Sequence, residues 1–270
     1  MSSAVPTTET YQPGHHPSVV ARHARRSAET AAAFFLPFLK PAMRLLDVGC
    51  GPGSITSDFA QRVAPGETIG IDPSADVIAT AMSLAGVTAA RNLTFEVGSI
   101  YEPRFAPGTF DAVFANQVLQ HLRRPVDALR QMRALLAPGG VLGVRVFDWG
   151  SAIFYPESEG MRRCLALQFE LRRRNGAEPD AGRHLRRWFR EAGFGEARIT
   201  TSTESEADAQ ATRDRAEMFA DRPGLADSAL ECGLATRSDL ESFAAAWRAW
   251  GRDPDAFSCL SLVEGVAWKR

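Results

Sequence analysis

The 270-residue sequence predicts an α/β fold in which helices cover both faces of a mostly parallel sheet. Three observations carry this. From Met43 onward, apolar runs of strand length alternate with helical patterns, as parallel sheets require. The first run, Leu45-Leu46-Asp47-Val48, passes into three glycines in five residues, Gly49, Gly51 and Gly53, and a helical pattern opens at Ser54. The next run, Glu67–Asp72, ends on an acid about 25 residues after Asp47, within the range of a second strand.

The glycine loop is the element to explain first. Glycines accept positive φ and let a ligand lie against main chain where a Cβ would collide. A dinucleotide fingerprint would place its third glycine at position 54, which is Ser54. No lysine follows the glycines, so a P-loop is excluded. Asp47 stands on the strand's last turn, where it would repel a pyrophosphate and attract a sulfonium or an ammonium. The loop therefore suits a ligand that is cationic near the glycines, S-adenosylmethionine. Asp72, at the tip of the second strand, can accept both ribose hydroxyls, each hydrogen bond to a charged group contributing roughly 1.5–3 kcal/mol.

With those residues in view, the chain resembles the class I S-adenosylmethionine-dependent methyltransferases, in the small-molecule branch related to quinone-biosynthesis and natural-product enzymes. The matching stretches are Leu46–Thr56, Gly70–Pro73, Phe110–Leu122 and Leu135–Val144, in the family's order. The resemblance implies a Rossmann-like, seven-stranded, mostly parallel sheet with helices on both faces. It also implies an N-terminal helical lid, and the chain adds a helical cap inserted before an antiparallel last strand. The chain then reads as one methyltransferase domain over 1–270. Its parts are a lid (1–40), a cofactor-binding core (41–148), substrate-side helices with strand six (149–203), the cap (204–257) and the last strand (258–270).

By the same resemblance the cofactor is held by Asp47, Gly49, Cys50, Gly51, Gly53, Asp72 and Pro73, with Asn116 and Gln117 near its methionine end. The family usually carries an acid after strand three to read the adenine amino group. This sequence has Gly98-Ser99-Ile100 there, so Ser99 would accept that bond and Ile100 would pack on the ring. The run Asn116-Gln117-Val118 lacks the Pro-Pro-aromatic continuation of enzymes that methylate nucleic-acid bases, which argues against such a substrate.

Bulk properties agree. Net charge is −1 and the pI is about 6.5, so no global field favours nucleic acid or anionic lipid. Cys50, Cys164, Cys232 and Cys259 are widely spaced, which suggests a reducing compartment and no zinc site. Met1–Thr10 has no basic-then-apolar leader pattern, and Ala31–Leu39 is broken by Pro37 and too short to span a membrane. A soluble cytoplasmic enzyme without nucleic-acid or membrane partners is expected; its oligomeric state is not readable.

Taken in order, Met1–Glu9 reads as a polar tail and Tyr11–His16 as a turn with an aromatic and two imidazoles. Val19–Leu39 reads as one or two helices with Val20, Ala24, Ala31, Phe34 and Phe35 inward. Helices are then expected over Ile55–Val63, Ala75–Ala85 and from Pro125 to Pro138-Gly139-Gly140. Strands are expected over Leu93–Val97, Phe110–Ala115 and Val141–Phe147. Arginine-rich helices follow at Gly160–Arg174 and Gly182–Glu191, their arginines read as solvated faces. Strand six is expected over Ala197–Thr203 and the closing strand over Leu260–Trp268. More than fifty residues lie between these two strands, far more than a usual sheet connection. They read as helices over Glu204–Phe219 and Asp239–Gly251, the second opened by a capping box Ser238-x-x-Glu241.

Methyl transfer from a sulfonium asks mainly for alignment, which can contribute roughly 7–11 kcal/mol. A base is needed only when the acceptor must shed a proton. Tyr11, His15 and His121 are the catalytic candidates, with Asp148 and His16 as other possible bases; His121 also fits a structural role. His16, Phe147, Asp148 and Trp149 are the substrate-side candidates, an acid between two aromatics at the sheet's ligand-binding rim. The acceptor would be an aromatic or heterocyclic metabolite, methylated on carbon, nitrogen or oxygen. Two other readings stand beside this one: a fold-mate that binds the cofactor without transferring methyl, as a cyclase or regulator, and a nicotinamide oxidoreductase.

Overall fold

The structure, a computed structural model, describes residues 26–88 and 90–270. Its strands are β1 (Leu45–Val48), β2 (Thr68–Asp72), β3 (Leu93–Val97), β4 (Phe110–Asn116), β5 (Leu136–Tyr155), β6 (Ala197–Glu206) and β7 (Phe257–Trp268). They form one sheet in the order β3-β2-β1-β4-β5-β7-β6. The pairs β3–β2, β2–β1, β1–β4 and β4–β5 are parallel, and β7 runs antiparallel to both β5 and β6. The expected sheet is borne out. β1 and the central run of β4 are buried on both faces, as their unbroken apolar composition requires.

One face is covered by the first described helix, α1 (Ala28–Ala31), the turn at Leu36–Phe38 and α2 (Ser54–Val63). Phe35, Phe59 and Phe114 interlock there with centroids 5.0–6.1 Å apart. Farther along the sheet, α3 (Ala75–Thr88) packs beside β2 and β3. The opposite face is covered by α4 (Pro125–Leu135) and α6 (Ala181–Glu191) around Leu129, Met132, Leu185 and Phe189. A separate helical layer sits beyond the strands' carboxyl ends. Its members are α5 (Glu159–Arg174), α7 (Ala209–Ala220), α8 (Pro223–Glu231) and α9 (Arg237–Trp250), joined by Leu167, Phe219, Phe243, Trp247 and Trp250. The Phe219 and Trp247 rings stack at 4.1 Å.

Several boundaries differ from expectation. β6 continues to Glu206, so Glu204–Glu206 is strand, not helix. The reason is a period of two: Ser202, Glu204 and Glu206 are half-buried between exposed neighbours, and the two glutamates ion-pair with buried Arg145 and Arg215. β5 starts at Leu136 and runs on to Tyr155, because β7 pairs with it out to Phe257; α4 thus ends three residues before the Pro-Gly-Gly run. The capping box is Thr236 with Asp239, which exchange both hydrogen bonds at 3.1 and 3.0 Å, not Ser238 with Glu241. Arg172 departs from the solvated arginine face; it is buried over the ring of Trp149. Ala31 and Phe35 face inward as expected, whereas Val20 and Ala24 lie outside the described residues.

Candidate active site

The sheet order reverses at β1: β2 and β3 lie to one side and β4 to the other. The carboxyl ends of β1 and β4 therefore open a crevice, the place where open α/β sheets bind ligands. The loop leaving β1 is held by Gly49 and Cys50, whose N–H groups both donate to Ile71 O at 2.7 and 3.0 Å. Gly49, Gly51 and Gly53 all have positive φ. A Cβ on Gly49 would lie 2.5 Å from Val118 Cγ2, so the loops after β1 and β4 touch. A Cβ on Gly51 would meet nothing within 4 Å: its main chain borders open space.

Two carboxylates lie close to the loop, both acting on Cys50. Asp47 is 3% exposed and accepts the Thr56 hydroxyl at 2.6 Å. Burial pushes its carboxyl up to about 7; the Thr56 bond opposes the rise and the charge of Asp72 adds to it. Asp72 accepts the N–H of Gly51 at 3.2 Å and of Ser74 at 3.0 Å, which ties the tip of β2 to the glycine loop. The Cys50 thiol is pushed far up by burial and by both aspartates. It is a neutral packing group against Ile78, Ala81 and Phe95, so Cys50 can offer a ligand only main chain. Pro73 is exposed beside Asp72. Gly98 N–H donates to Asp72 O, which brings the end of β3 alongside. There the half-buried Ser99 accepts Tyr101 N–H at 3.3 Å, and Ile100 belongs to the core with Leu46 and Leu129.

On the other wall, Asn116 is paired in register with Arg145 of β5. Gln117 adopts φ +58°, a strained value for a residue with a side chain. Its N–H donates to Arg145 O at 2.7 Å, and its Oε1 accepts Arg26 at 2.8 Å. Three buried amide atoms in this loop have no partner: Asn116 Oδ1, Gln117 Nε2 and Gln120 Oε1. An unmet buried polar atom costs about 1–3 kcal/mol, so three within one short loop mark a place built to meet a polar ligand. The bare main chain at Gly51, the two carboxylates and the amides of Asn116 and Gln117 together fit S-adenosylmethionine.

His121 closes the turn after β4 and is half-buried. Tyr11, His15 and His16 lie outside the described residues. The rim residues divide by strand alternation. Phe147 and Trp149 meet at 5.6 Å, and Trp149 continues into the helical layer against Phe169 and Phe219. Asp148 is turned to α6, where it accepts the backbone N–H of Arg183 and two bonds from its guanidinium at 2.6–3.0 Å. That pairing holds the Arg183 guanidinium above its ordinary range. Sequence reasoning gave no role to Thr56, Arg26, Gln120 or Arg145. The one legible signal among them was the hydroxyl of Thr56, at inward spacing with Ile55 and Phe59 on α2. No cluster of three or more metal-binding side chains occurs among the described residues, and none of their helices is long and apolar enough to cross a membrane.

A family model described as a methyltransferase domain matches residues 39–193, from the approach to β1 through α6. The chain belongs to that methyltransferase family. The methyltransferase is 33% identical over 277 residues to an uncharacterised methyltransferase of Schizosaccharomyces pombe, covering 98% of each chain. It is 34% identical over 283 residues to the probable methyltransferase ltbC of Aspergillus luteorubrus, covering 97% of this chain and 98% of the other. Among solved structures, the YcgJ protein of Bacillus subtilis superposes with a TM-score of 0.59 at 16% identity, over 95% of this chain and 99% of that one, and so shares the fold. The enzyme is a class I methyltransferase, the family read from its motifs, and S-adenosylmethionine is that family's methyl donor. The nicotinamide alternative falls with that assignment.

Proposed function

We propose that this methyltransferase passes the methyl group of S-adenosylmethionine to a small aromatic or heterocyclic metabolite seated between the crevice and the helical layer. The acceptor atom in this reading is carbon or nitrogen, with oxygen as the chemical alternative. One observation carries it: the main chain at Gly51, whose N–H is held by Asp72, borders open space above the buried carboxyl of Asp47. When bound, the donor supplies a methyl on cationic sulfur, and S-adenosylhomocysteine leaves.

The chain's own residues do the rest by placement. Gly49, Gly51 and Gly53 let the ligand approach main chain, and Asp47 beneath them favours positive charge. Asp72 receives the ribose hydroxyls with Pro73 beside it, and Cys50 contributes backbone. Ser99 and Ile100 border the adenine. The amides of Asn116 and Gln117 meet the methionine end. Phe147 and Trp149 supply flat apolar surface, whereas Asp148 acts through Arg183. In-line attack breaks the S–CH3 bond as the acceptor bond forms, so positive charge is lost and alignment is the main requirement. An acceptor that must lose a proton passes it to the imidazole of His121 or His15, or to Tyr11 as its phenolate, with His16 on the substrate side.

In this reading 1–40 acts as a lid and 204–257 as a cap on one methyltransferase domain. The enzyme works in the cytoplasm in natural-product biosynthesis, apart from nucleic acid; four free thiols and the near-neutral net charge support that placement. Calorimetric titration with S-adenosylmethionine tests the cofactor site. Incubation with a metabolite extract, read as release of S-adenosylhomocysteine, tests transfer. Tight cofactor binding without turnover across broad acceptor panels would instead support the cyclase or regulator reading.

A further inference from the structure

Beyond the cofactor loop, the expected rim residue Trp149 shares a single anchor with two residues that sequence reasoning left without a role, Gln120 and Arg172. Glu178 N–H donates to Gln120 O at 3.0 Å, and the next residue, Pro179, accepts Trp149 N–H at 3.2 Å. The preceding residue, Ala177, donates to Arg172 O at 3.0 Å. Three consecutive residues of the α5–α6 connection therefore bind the backbones of Gln120, Arg172 and Trp149 around themselves. All three side chains are buried, at 4%, 7% and 9% exposure. The Arg172 guanidinium lies 5.4 Å over the Trp149 ring, a contact that stiffens the indole and fixes which face it can offer. Gln120 stands three residues after Gln117, in the loop that forms one wall of the crevice, and its Oε1 is buried with no partner.

We infer that Gln120 is a specificity residue for the acceptor: its amide oxygen receives an N–H or O–H donor on the edge of a flat aromatic ring that Trp149, backed by Arg172, supports. The inference rests on the proposed methyl transfer to an aromatic metabolite and narrows it to acceptors that carry a hydrogen-bond donor. A glutamine serving only to tie the loop down would spend both ends of its amide on protein partners. Here the oxygen is unmet, and the backbone carbonyl alone makes the tie to Glu178. A site built around a buried acceptor rejects a ligand that lacks the matching donor, because the oxygen then stays unpaired.

The test uses the full chain saturated with S-adenosylhomocysteine and two calorimetric probes, 4-hydroxyquinoline, which carries a donor, and 4-methoxyquinoline, which does not. The expected result is at least tenfold tighter binding of the first. Gln120→Leu should reduce that ratio below threefold with S-adenosylhomocysteine affinity unchanged, which also certifies the fold. Gln120→Glu, which keeps an acceptor, should retain the ratio. Equal binding of the two probes by the parent enzyme, binding of neither, or an undiminished ratio in Gln120→Leu would each overturn the inference. Failure of the underlying reading would appear earlier and separately, as absence of S-adenosylhomocysteine binding.

Discussion

The Thr56 hydroxyl donates to the Asp47 carboxylate across 2.6 Å, with both side chains shut away from solvent beneath the glycine loop. Burial raises the Asp47 carboxyl to about 7, so its proton is held more tightly in the folded chain than in the unfolded one. The contribution to apo stability is full below the unfolded value of 3.8 and is lost as pH rises through about 7. A cationic ligand favours the ionised form. Affinity for S-adenosylmethionine relative to S-adenosylhomocysteine, whose sulfur is neutral, should therefore rise about tenfold between about pH 6 and pH 8. Thr56→Val should move the midpoint upward and Asp47→Asn should flatten the profile. Parallel titrations of the two ligands across that range decide it; a flat ratio in the parent enzyme would remove Asp47 from the electrostatic role.

Asp72 accepts two backbone N–H groups, of Gly51 and Ser74, which fixes its carboxylate at the tip of β2 beside the glycine loop. Asp72→Ala should weaken cofactor binding at least tenfold, about 1.4 kcal/mol, with circular dichroism unchanged. Calorimetry measures it, and an unaltered affinity would refute the ribose role.

Asp148 and Arg183 test whether an acid between two aromatics serves the substrate or the scaffold. The carboxylate is buried while the arginine side chain is 51% exposed, so water can replace part of the lost pairing. Arg183→Met should cost about 1–2 kcal/mol, a drop of a few degrees in Tm, and leave cofactor affinity unchanged. A thermal melt beside a binding isotherm separates the two effects; unchanged Tm with weakened acceptor turnover would restore Asp148 to the substrate side.

Thr236 and Ser238 separate the two possible starts of α9. Thr236→Ala removes a hydroxyl that accepts Asp239 N–H and should destabilise by about 1 kcal/mol. Ser238→Ala, inside the first turn, should be close to neutral. Chemical denaturation of both variants checks the assignment, and the reverse order would return the cap to Ser238.

What could be read before any coordinates was local. The first β-turn-α unit, the acid on the tip of β2 and the apolar strands β1, β3 and β4 each occupy a few contiguous residues, so spacing and residue type suffice. Asp47 and Asp72 were legible for the same reason: an acid at a strand's end is fixed by the strand itself. Features set by distant pairing were not legible. Glu204 and Glu206 look helical until β7, more than fifty residues later, supplies the ladder that makes them strand.

By itself, then, the sequence determined the α/β class, the cofactor loop and the family, because glycine spacing and strand alternation act over one turn of chain. Only the tertiary structure decided which way Asp148 turns, that Arg172 lies over Trp149, and that Arg26 reaches Gln117 across 91 positions. Each of these depends on long-range packing that brings separate elements to one sheet edge, and no local pattern encodes which side chain will be buried there.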